Sequence, residues 1–357
     1  MSAPLAEGCS AMILAAGFGT RLAPLTDDRA KAMVPFLNRP LLDYNLDWLA
    51  RLGFREVVIN LHHLPDTVRD AYPRHRQDID IRFSVEEKIL GTAGGPRKVL
   101  DRLGQRVLIV NGDVASTLSA GVLWRHHIES GALATMALHN GPGARDYPGI
   151  EIDEQGAVTR IPGVGARGGE AAGEAAGCFT GIHIVEREVI ELAPEGAFCG
   201  MVDPLYAGLL DRGLPLHGVV VPGSWYEIGT PERYLGCQLE ALRREELPIA
   251  FAGARRFAPA GWLRGLVGFS RAGLEPPFYL DRGAQIDEGA LLRNVIVGAR
   301  ANVGCGATVR DSVLLARARV GAGARIERCL VLEDAEVPPG ARLADEVVPD
   351  APVGSAR

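Results

Sequence analysis

Hydrophobic positions along the chain follow two regimes. Up to about residue 240, apolar runs of four to seven residues alternate with amphipathic stretches of helix length. "MILAA" (12–16) is followed by "LLDYNLDWLARLG" (41–53), "EVVINL" (56–61), "LPDTVRDAY" (64–72), "IDIRFSV" (79–85), "AGGPRKVLDRL" (93–103) and "VLIVNGD" (107–113). Short buried runs separated by helix-length segments predict βαβ units and a mostly parallel sheet. Ligands of such sheets bind beyond the carboxyl ends of the strands. Two polar turns fall on that rim, "GFGTR" (17–21) and "NGD" (111–113). Residues 141–177, rich in Gly, Ala and Arg, predict loops and short strands reaching over the sheet. Order resumes with "FTGIHIV" (179–185) and "LHGVVV" (216–221) as strands, and with "MVDPLYAGLLDRG" (201–213) and the capped, charged "TPERYLGCQLEALRREE" (230–246) as helices. A first domain is expected over 1–246.

Beyond a Gly-, Pro- and Arg-rich stretch read as a linker, 247–278, the pattern changes to β-branched triplets punctuated by glycine. Gly289, Gly306, Gly323 and Gly340 recur every 17 residues, and so do Ala290, Ala307, Ala324 and Ala341. Aliphatic positions from Ile286 through Leu292, Val297, Val303, Val309, Leu314, Val320, Ile326, Val331 and Val337 to Leu343 step by 6, 5, 6, 6, 5, 6, 6, 5, 6 and 6. Three steps make one period. One inward aliphatic per short strand and three strands per turn predict a hexapeptide-type parallel β-helix over 279–348, with a tail over 349–357.

A chain of 357 residues exceeds one ordinary core and agrees with two domains. No apolar run approaches the roughly 20 residues of a membrane span, and "MSAPLAEGCS" carries no basic leader. The expectation is a cytoplasmic protein without a membrane partner. Six cysteines lie scattered with no C-x-x-C pair, so neither a zinc knuckle nor a disulfide framework is indicated. The net charge of −6 argues against nucleic acid and requires any anionic substrate to be held by local cations and backbone amides.

The stretch "GFGTRLAPLTDDRAKAMVP" (17–35) supplies such groups. It fails as a dinucleotide fingerprint, because Leu22 stands where a third glycine is needed, and as a P-loop, because no Lys follows its last glycine directly. A plain glycine-rich turn needs no particular cations. Its residues Gly17, Gly19, Thr20, Arg21, Leu22, Pro24, Leu25 and Thr26, followed by Lys31 and Pro35, resemble the sugar-phosphate nucleotidyltransferases, whose signature is G-x-G-T-R-L-x-P-L-T followed by K-x-x-x-P. The resemblance extends to "LGTAGG" (90–95), "NGD" and "WYEIGTPERY" (225–234), and a trailing β-helix is common in one branch of that family, so it covers nearly the whole chain. It implies a Rossmann-like α/β domain, a mixed, mostly parallel sheet flanked by helices, followed by a left-handed β-helix. It also implies nucleotide contacts from Leu14, Ala15, Ala16, Gly17, Gly19, Thr20 and Arg21, and from Glu86, Gly91 and Thr92.

The chemistry agrees with that implication. A nucleoside triphosphate and a sugar 1-phosphate together carry on the order of six negative charges, and in-line attack on the α-phosphorus requires them to meet. Glycines 17 and 19 let backbone amides approach the phosphates, Arg21 can brace the departing pyrophosphate, and Lys31 can neutralise the α-phosphate or the incoming one. Asp113, ending the strand "VLIV", is the natural Mg²⁺ ligand. Its other reading is a helix N-cap before "STLSAGVLWRHH" (116–127). The resemblance places a second metal carboxylate at Glu227, where the family usually has Asp.

Base and sugar selection are read from fewer residues. In relatives, the residue five before the glycine of "LGT" faces the base; here it is Glu86. A carboxylate accepts both N1–H and the exocyclic amine of guanine, which tilts the reading to GTP, whereas the run Glu86-Glu87-Lys88 also reads as a solvated surface. For the sugar, the candidates are Gly149, Glu151, Arg160 and Glu174, with Arg160 standing in for the lysine of an absent E-K-P motif. All eight histidines precede the β-helix, which argues against acyl transfer by the coils and leaves them a role in homo-oligomer contacts or regulation. Adjacent His62 and His63 at a strand end point to opposite faces, so a metal pair there is not favoured. The expected reaction joins an NTP (GTP) to a sugar 1-phosphate (mannose-1-phosphate), releasing pyrophosphate. The alternatives are thymidylyl or uridylyl transfer to glucose-1-phosphate or another sugar 1-phosphate, and a catalytically silent nucleotide-sugar-binding paralogue.

Overall fold

A computed structural model describes residues 5–76, 79–165 and 173–349. Part of the predicted 141–177 loop and nearly all of the 349–357 tail lie outside the described residues. The chain forms two compact units, one of residues 1–18, 28–33 and 41–225, the other of 19–27, 34–40 and 226–357. Among the described residues, no helix is long and apolar enough to cross a membrane.

The first unit is built on a ten-stranded sheet. Its principal strands are β1 (Ser10–Leu14), β2 (Glu56–Leu61), β3 (Ile79–Val85), β4 (Arg106–Asn111), β5 (Ala134–His139), β6 (Gly149–Ile152), β7 (Gly177–Glu186) and β8 (Leu216–Val220). They lie in the order β3-β2-β1-β4-β7-β5-β8, with β6 pairing the start of β7. β1 runs parallel to both β2 and β4, and β2 parallel to β3. β7 is antiparallel to β4 and to β5, which makes the sheet mixed. Alternate residues of each central strand enter opposite cores: Ile13, Val57, Ile59, Leu108 and Val110 join one, and Met12, Val58, Val107 and Ile109 the other. Burial on both faces explains why these strands read as continuous apolar runs. The first core also takes Leu42, Leu46 and Leu49 of α1 (Leu41–Arg51) and Leu123 of α3 (Ala120–Ser130); the second takes Ala93 of α2 (Gly91–Lys98).

One buried group gives this unit a pH dependence. His183 on β7 is 2% exposed, its Nδ1 hydrogen-bonds the Tyr206 hydroxyl, and burial pushes the imidazole down to about 3. The unfolded chain takes up this proton below about pH 6.5. The folded chain resists it until about pH 3. Stability is therefore fully present above pH 6.5 and falls toward pH 3, by up to about 1.4 kcal/mol per pH unit. His183→Gln, which keeps a polar partner for Tyr206, is expected to remove that slope in urea unfolding between pH 6 and pH 4; an unchanged slope would assign the acid sensitivity to other groups.

In the second unit the 17-residue period becomes the strand register. Ile286 aligns with Val303, Val320 and Val337; Leu292 with Val309, Ile326 and Leu343; and Val297 with Leu314, Val331 and Val348, all in parallel pairs. Three columns of aliphatic side chains thus fill the coil. Gly289, Gly306, Gly323 and Gly340 have φ of 74°, 64°, 66° and 70°, the left-handed corner that a Cβ disfavours. A second corner is carried by Asn294, Asp311, Arg328 and Asp345, again 17 apart and again at positive φ.

Two boundaries differ from the expected ones. Residues 247–278 are not a linker: Ala254–Ala258, Gly261–Arg264, Gly268–Phe269 and Gly273–Leu280 are strands, and Leu263 pairs with Leu280 and Phe269 with Ile286 at the same spacing. The first coil was hidden because aromatic residues, Phe269 and Phe278 among them, replace its β-branched triplets. Helix α4 (Pro231–Arg244), capped by Thr230 as expected, belongs to the second unit, so the division falls at 225/226 rather than 246. Within that unit it lies against the coil strands 273–280 and 291–297, and its Gln238 Oε1 accepts the Leu37 amide at 2.7 Å.

Candidate active site

The sheet order reverses at β1. From β1 the chain proceeds to β2 and β3 on one side, then returns to β4 on the other, which opens a crevice at the carboxyl ends of β1 and β4. Leu14 and Asn111, the last residues of the two strands, are register partners, and the Gly112 amide donates to the Leu14 carbonyl at 2.8 Å. A Cβ on Gly112 would lie 2.8 Å from that carbonyl oxygen, so "NGD" needs its glycine for the turn to cross the end of β1.

A cavity of about 190 Å³ occupies this crevice. One side is the turn after β1, Leu14 to Gly17; the opposite side is Asn111, Gly112 and Asp113. Lys31, Asn60, Gly91 and Thr92 complete most of the wall. Eight residues singled out from sequence therefore share one cavity: Leu14, Ala15, Ala16, Gly17, Lys31, Gly91, Thr92 and Asp113. Lys31 Nζ lies 2.6 Å from Asp113 Oδ2, with the two side chains 14% and 25% exposed. An ammonium held this way presents a fixed positive charge to the crevice. The N-cap alternative for Asp113 falls away, because Ser119 occupies that position before α3.

Beneath the cavity runs a buried hydrogen-bond relay. The Ala15 amide donates to Asn60 Oδ1 at 2.9 Å, and Asn60 Nδ2 donates to Glu86 Oε1 at 2.8 Å. Glu86 Oε2 accepts the Leu90 amide at 2.8 Å. Glu86 is 2% exposed and does not line the cavity, so the carboxylate expected to face a base is engaged with the chain's own donors. Gly95 makes room for the relay: a Cβ there would come within 2.6 Å of Asn60 Nδ2 and 2.9 Å of Glu86 Oε1. Gly91, at φ 77°, passes so close to the Cys199 carbonyl that a Cβ would sit 2.6 Å from it, and Thr92 Oγ1 accepts the Met201 amide at 2.7 Å. "LGTAGG" thus starts α2 and clamps it to residues 199–201. Sequence reasoning missed Asn60 and reached Asn111 only as part of "NGD"; the available signal for Asn60 was an amide next to the end of an otherwise apolar strand, in "EVVINL".

The other candidates are not in the lining of this cavity. Gly19, Thr20 and Arg21 belong to the second unit. Gly19 is left-handed at φ 69°, and its carbonyl accepts the Thr26 hydroxyl at 3.0 Å and the Leu22 amide at 2.8 Å. Arg21 is exposed and has no acidic partner among the described residues. Glu227, in the same unit, has its side chain 13% exposed and lies 3.8 Å from Arg233. The sugar candidates divide. A Cβ on Gly149 would come within 2.3 Å of Ala175, so this glycine lets the 173–176 segment cross β6. Glu151 is 4% exposed; its Oε1 accepts from Arg160 at 2.7 Å and its Oε2 accepts the Gly173 amide at 3.1 Å. Glu151 and Arg160 hold each other, while Glu174 is exposed. His62 donates through Nδ1 to the Glu86 carbonyl at 2.8 Å, a structural contact.

Comparison with known proteins finds two separate matches along the chain. Residues 10–163 match the family model described as Nucleotidyl transferase, and residues 280–352 match GlmU-like, C-terminal hexapeptide. A UTP–glucose-1-phosphate uridylyltransferase of Synechocystis is 28% identical over 78% of this chain and 75% of its own length. A mannose-1-phosphate guanylyltransferase of Mycobacterium tuberculosis is 28% identical over 83% of this chain and 82% of its own. An N-acetylmuramate alpha-1-phosphate uridylyltransferase of Caulobacter vibrioides is 29% identical over 64% of this chain and 95% of its own. A switch-point cavity behind a glycine turn and a lysine paired with an aspartate on its rim lie within the first match, and a coil of 17-residue turns underlies the second, so the chain carries a nucleotidyl transferase domain followed by a GlmU-like C-terminal hexapeptide domain and is similar to sugar-phosphate nucleotidyltransferases.

Proposed function

We propose that the cavity at the β1/β4 switch point binds a nucleoside triphosphate, and that the chain transfers its nucleotidyl group to a sugar 1-phosphate with release of pyrophosphate. The observation that carries this reading is the Lys31–Asp113 pair at 2.6 Å on the cavity rim. The acceptor's own phosphate oxygen attacks the α-phosphorus in line, the bond to the β-phosphate oxygen breaks, and the electron pair leaves with pyrophosphate, so no protein nucleophile is required. The chain's task is positioning and charge compensation. The backbone amides of Ala16 and Gly17, on a turn that Asn60 holds from below through the Ala15 amide, face the phosphates. Lys31, oriented by Asp113, places its ammonium beside the oxygens that gain charge.

Asp113 fits a hard divalent cation. It is a partly exposed carboxylate that contributes one oxygen to Lys31 and lines the cavity with the other groups facing the phosphates. Mg²⁺ bound there would supply neutralisation of phosphate charge. Glu227, the second carboxylate implied by the resemblance, stands in the second unit, and this reading rests on Asp113. Arg21, exposed and without an acidic partner among the described residues, remains the candidate for pyrophosphate.

For the substrate pair we favour GTP with mannose-1-phosphate, supported by the M. tuberculosis relative and by several yeast and fungal relatives named as mannose-1-phosphate guanyltransferases. Uridylyl transfer to a glucose-type 1-phosphate is the second reading. It is supported by the Synechocystis relative and by Glu86, whose engagement with Asn60 and Leu90 weakens the guanine argument. Pyrophosphate release measured with Mg²⁺ across the common NTPs and sugar 1-phosphates decides between them. The highest kcat/KM is expected for GTP with mannose-1-phosphate. No turnover with any pair would leave only a nucleotide-sugar-binding role.

A further inference from the structure

The coil of the second unit neutralises several of its arginines by one rule, pairing each with an acid one coil further on. Arg271 meets Glu288 at 3.1 Å, Arg317 meets Asp334 at 2.6 Å, and Arg328 meets Asp345 at 2.6 Å, all 17 residues apart. Arg310, Arg325 and Arg342 stand apart: one coil beyond Arg325 is Arg342, and one coil beyond Arg310 is Glu327, with which Arg310 makes no ion pair. All three are exposed, and among the described residues none has an ion-pair partner. Arg282, Arg300 and Arg319 also lack one, but they do not line the groove described next.

Arg310, Arg325 and Arg342 line a single groove of about 550 Å³ on the flat face made by strands 291–297, 308–314, 325–327 and 342–344. Arg325 is the register partner of Arg342, and Arg293 that of Arg310, so cations stand side by side on adjacent strands. Neighbouring strands are about 4.8 Å apart, and like charges so placed destabilise a sheet. Glu327, the acid on the groove wall, is taken by Arg328 at 2.5 Å. The Thr308 hydroxyl and Leu291, which is 48% exposed, complete the lining used here.

We propose that this groove is an anion-binding site for a small molecule carrying a diphosphate or two closely spaced phosphate groups. Guanidinium forks match phosphate oxygens in pairs, and three of them supply up to fifteen N–H donors by the ordinary inventory of about five each. Thr308 adds a hydroxyl donor, and Leu291 offers an apolar contact for the remainder of the ligand. A protein of net charge −6 draws no anion by its overall field, so the local cluster accounts for the attraction. A second copy is a poor occupant, because a symmetric contact through this face would set guanidiniums against guanidiniums. The anion is either inorganic pyrophosphate or the phosphoryl part of a metabolite.

Calorimetric titration of the full chain tests the assignment. Inorganic pyrophosphate and a hexose bisphosphate serve as probes, with wild type, Lys31→Ala and the double variant Arg325→Gln/Arg342→Gln compared. Wild type is expected to show a pyrophosphate site that survives Lys31→Ala and weakens at least tenfold in the double variant. Turnover of the double variant without added anion should stay at the wild-type value. Binding of both probes in this arginine-dependent way identifies a metabolite's phosphoryl groups as the ligand; binding of pyrophosphate alone identifies the inorganic anion. Titrations of the double variant that overlay wild type for both probes overturn the proposal. So does a changed mass in light scattering with the titrations intact, which makes the face a subunit contact.

Discussion

Asp113→Ala is expected to lower kcat by about 10³-fold or more, in line with loss of a group that organises charge around a transferring phosphoryl unit. The variant should remain folded. The Lys31–Asp113 pair is partly exposed, with side chains 14% and 25% accessible, so its loss should cost only about 1–2 kcal/mol in urea unfolding. Two roles can be separated by Asp113→Asn. An amide oxygen still accepts from Lys31 but brings no negative charge for a divalent cation. If Asp113 serves only to aim Lys31, the Asn variant keeps most of the wild-type rate. If it also holds the cation, Asn and Ala are equally impaired and raising Mg²⁺ restores neither. Near-wild-type turnover in the Ala variant would remove Asp113 from the mechanism, and with it the observation on which the proposed reaction stands.

Glu86→Ala is expected to destabilise the first unit by about 3–5 kcal/mol, because it strands two buried donors at about 1–3 kcal/mol each and leaves a void. The donors are Asn60 Nδ2 and the Leu90 amide, both at 2.8 Å from the carboxylate. The consequence reaches the cavity, since Asn60 also holds the Ala15 amide at 2.9 Å. Glu86→Gln is the sharper test. One of its two ends must turn an N–H toward a donor, so stability should fall while the GTP-to-UTP ratio of kcat/KM moves less than about threefold. A base-reading carboxylate behaves in the opposite way. A tenfold shift in that ratio at unchanged stability would return Glu86 to the base.

The two motifs of the rim were legible because their chemistry is local. Gly17, Lys31 and Asp113 are recognisable by residue type and by their place after apolar runs, and all three line the cavity. The relay was not legible. Asn60 and Glu86 are separated by 26 residues, and Gly95 fits only because it lies against both. From sequence, Glu86 beside Glu87 and Lys88 reads as an acceptor facing a ligand or as solvated surface. It is neither, because β2 and the segment after β3 bury it against two donors. Glu151 and Arg160 repeat the lesson: as separate polar residues they read as sugar contacts, but antiparallel pairing of β6 with residues 158–160 brings them to 2.7 Å and joins their charges.

Periodicity carried the most information per residue. Inward aliphatics every five or six residues and glycines every 17 determined the coil, its register and its left-handed glycine corners, because each coil repeats one local geometry and contacts only its neighbours. The alternation of apolar and amphipathic segments likewise determined a mostly parallel sheet with its polar turns on one rim, because strands buried on both faces read as continuous apolar runs, while the antiparallel strand that makes the sheet mixed was seen only in the structure. Tertiary structure decided what no local pattern encodes: where the first coil begins, which unit claims α4, and which charges are already satisfied. These depend on partners distant in sequence, and a side chain's chemistry is available to a ligand only after the fold has settled which of its hydrogen bonds the protein itself has taken.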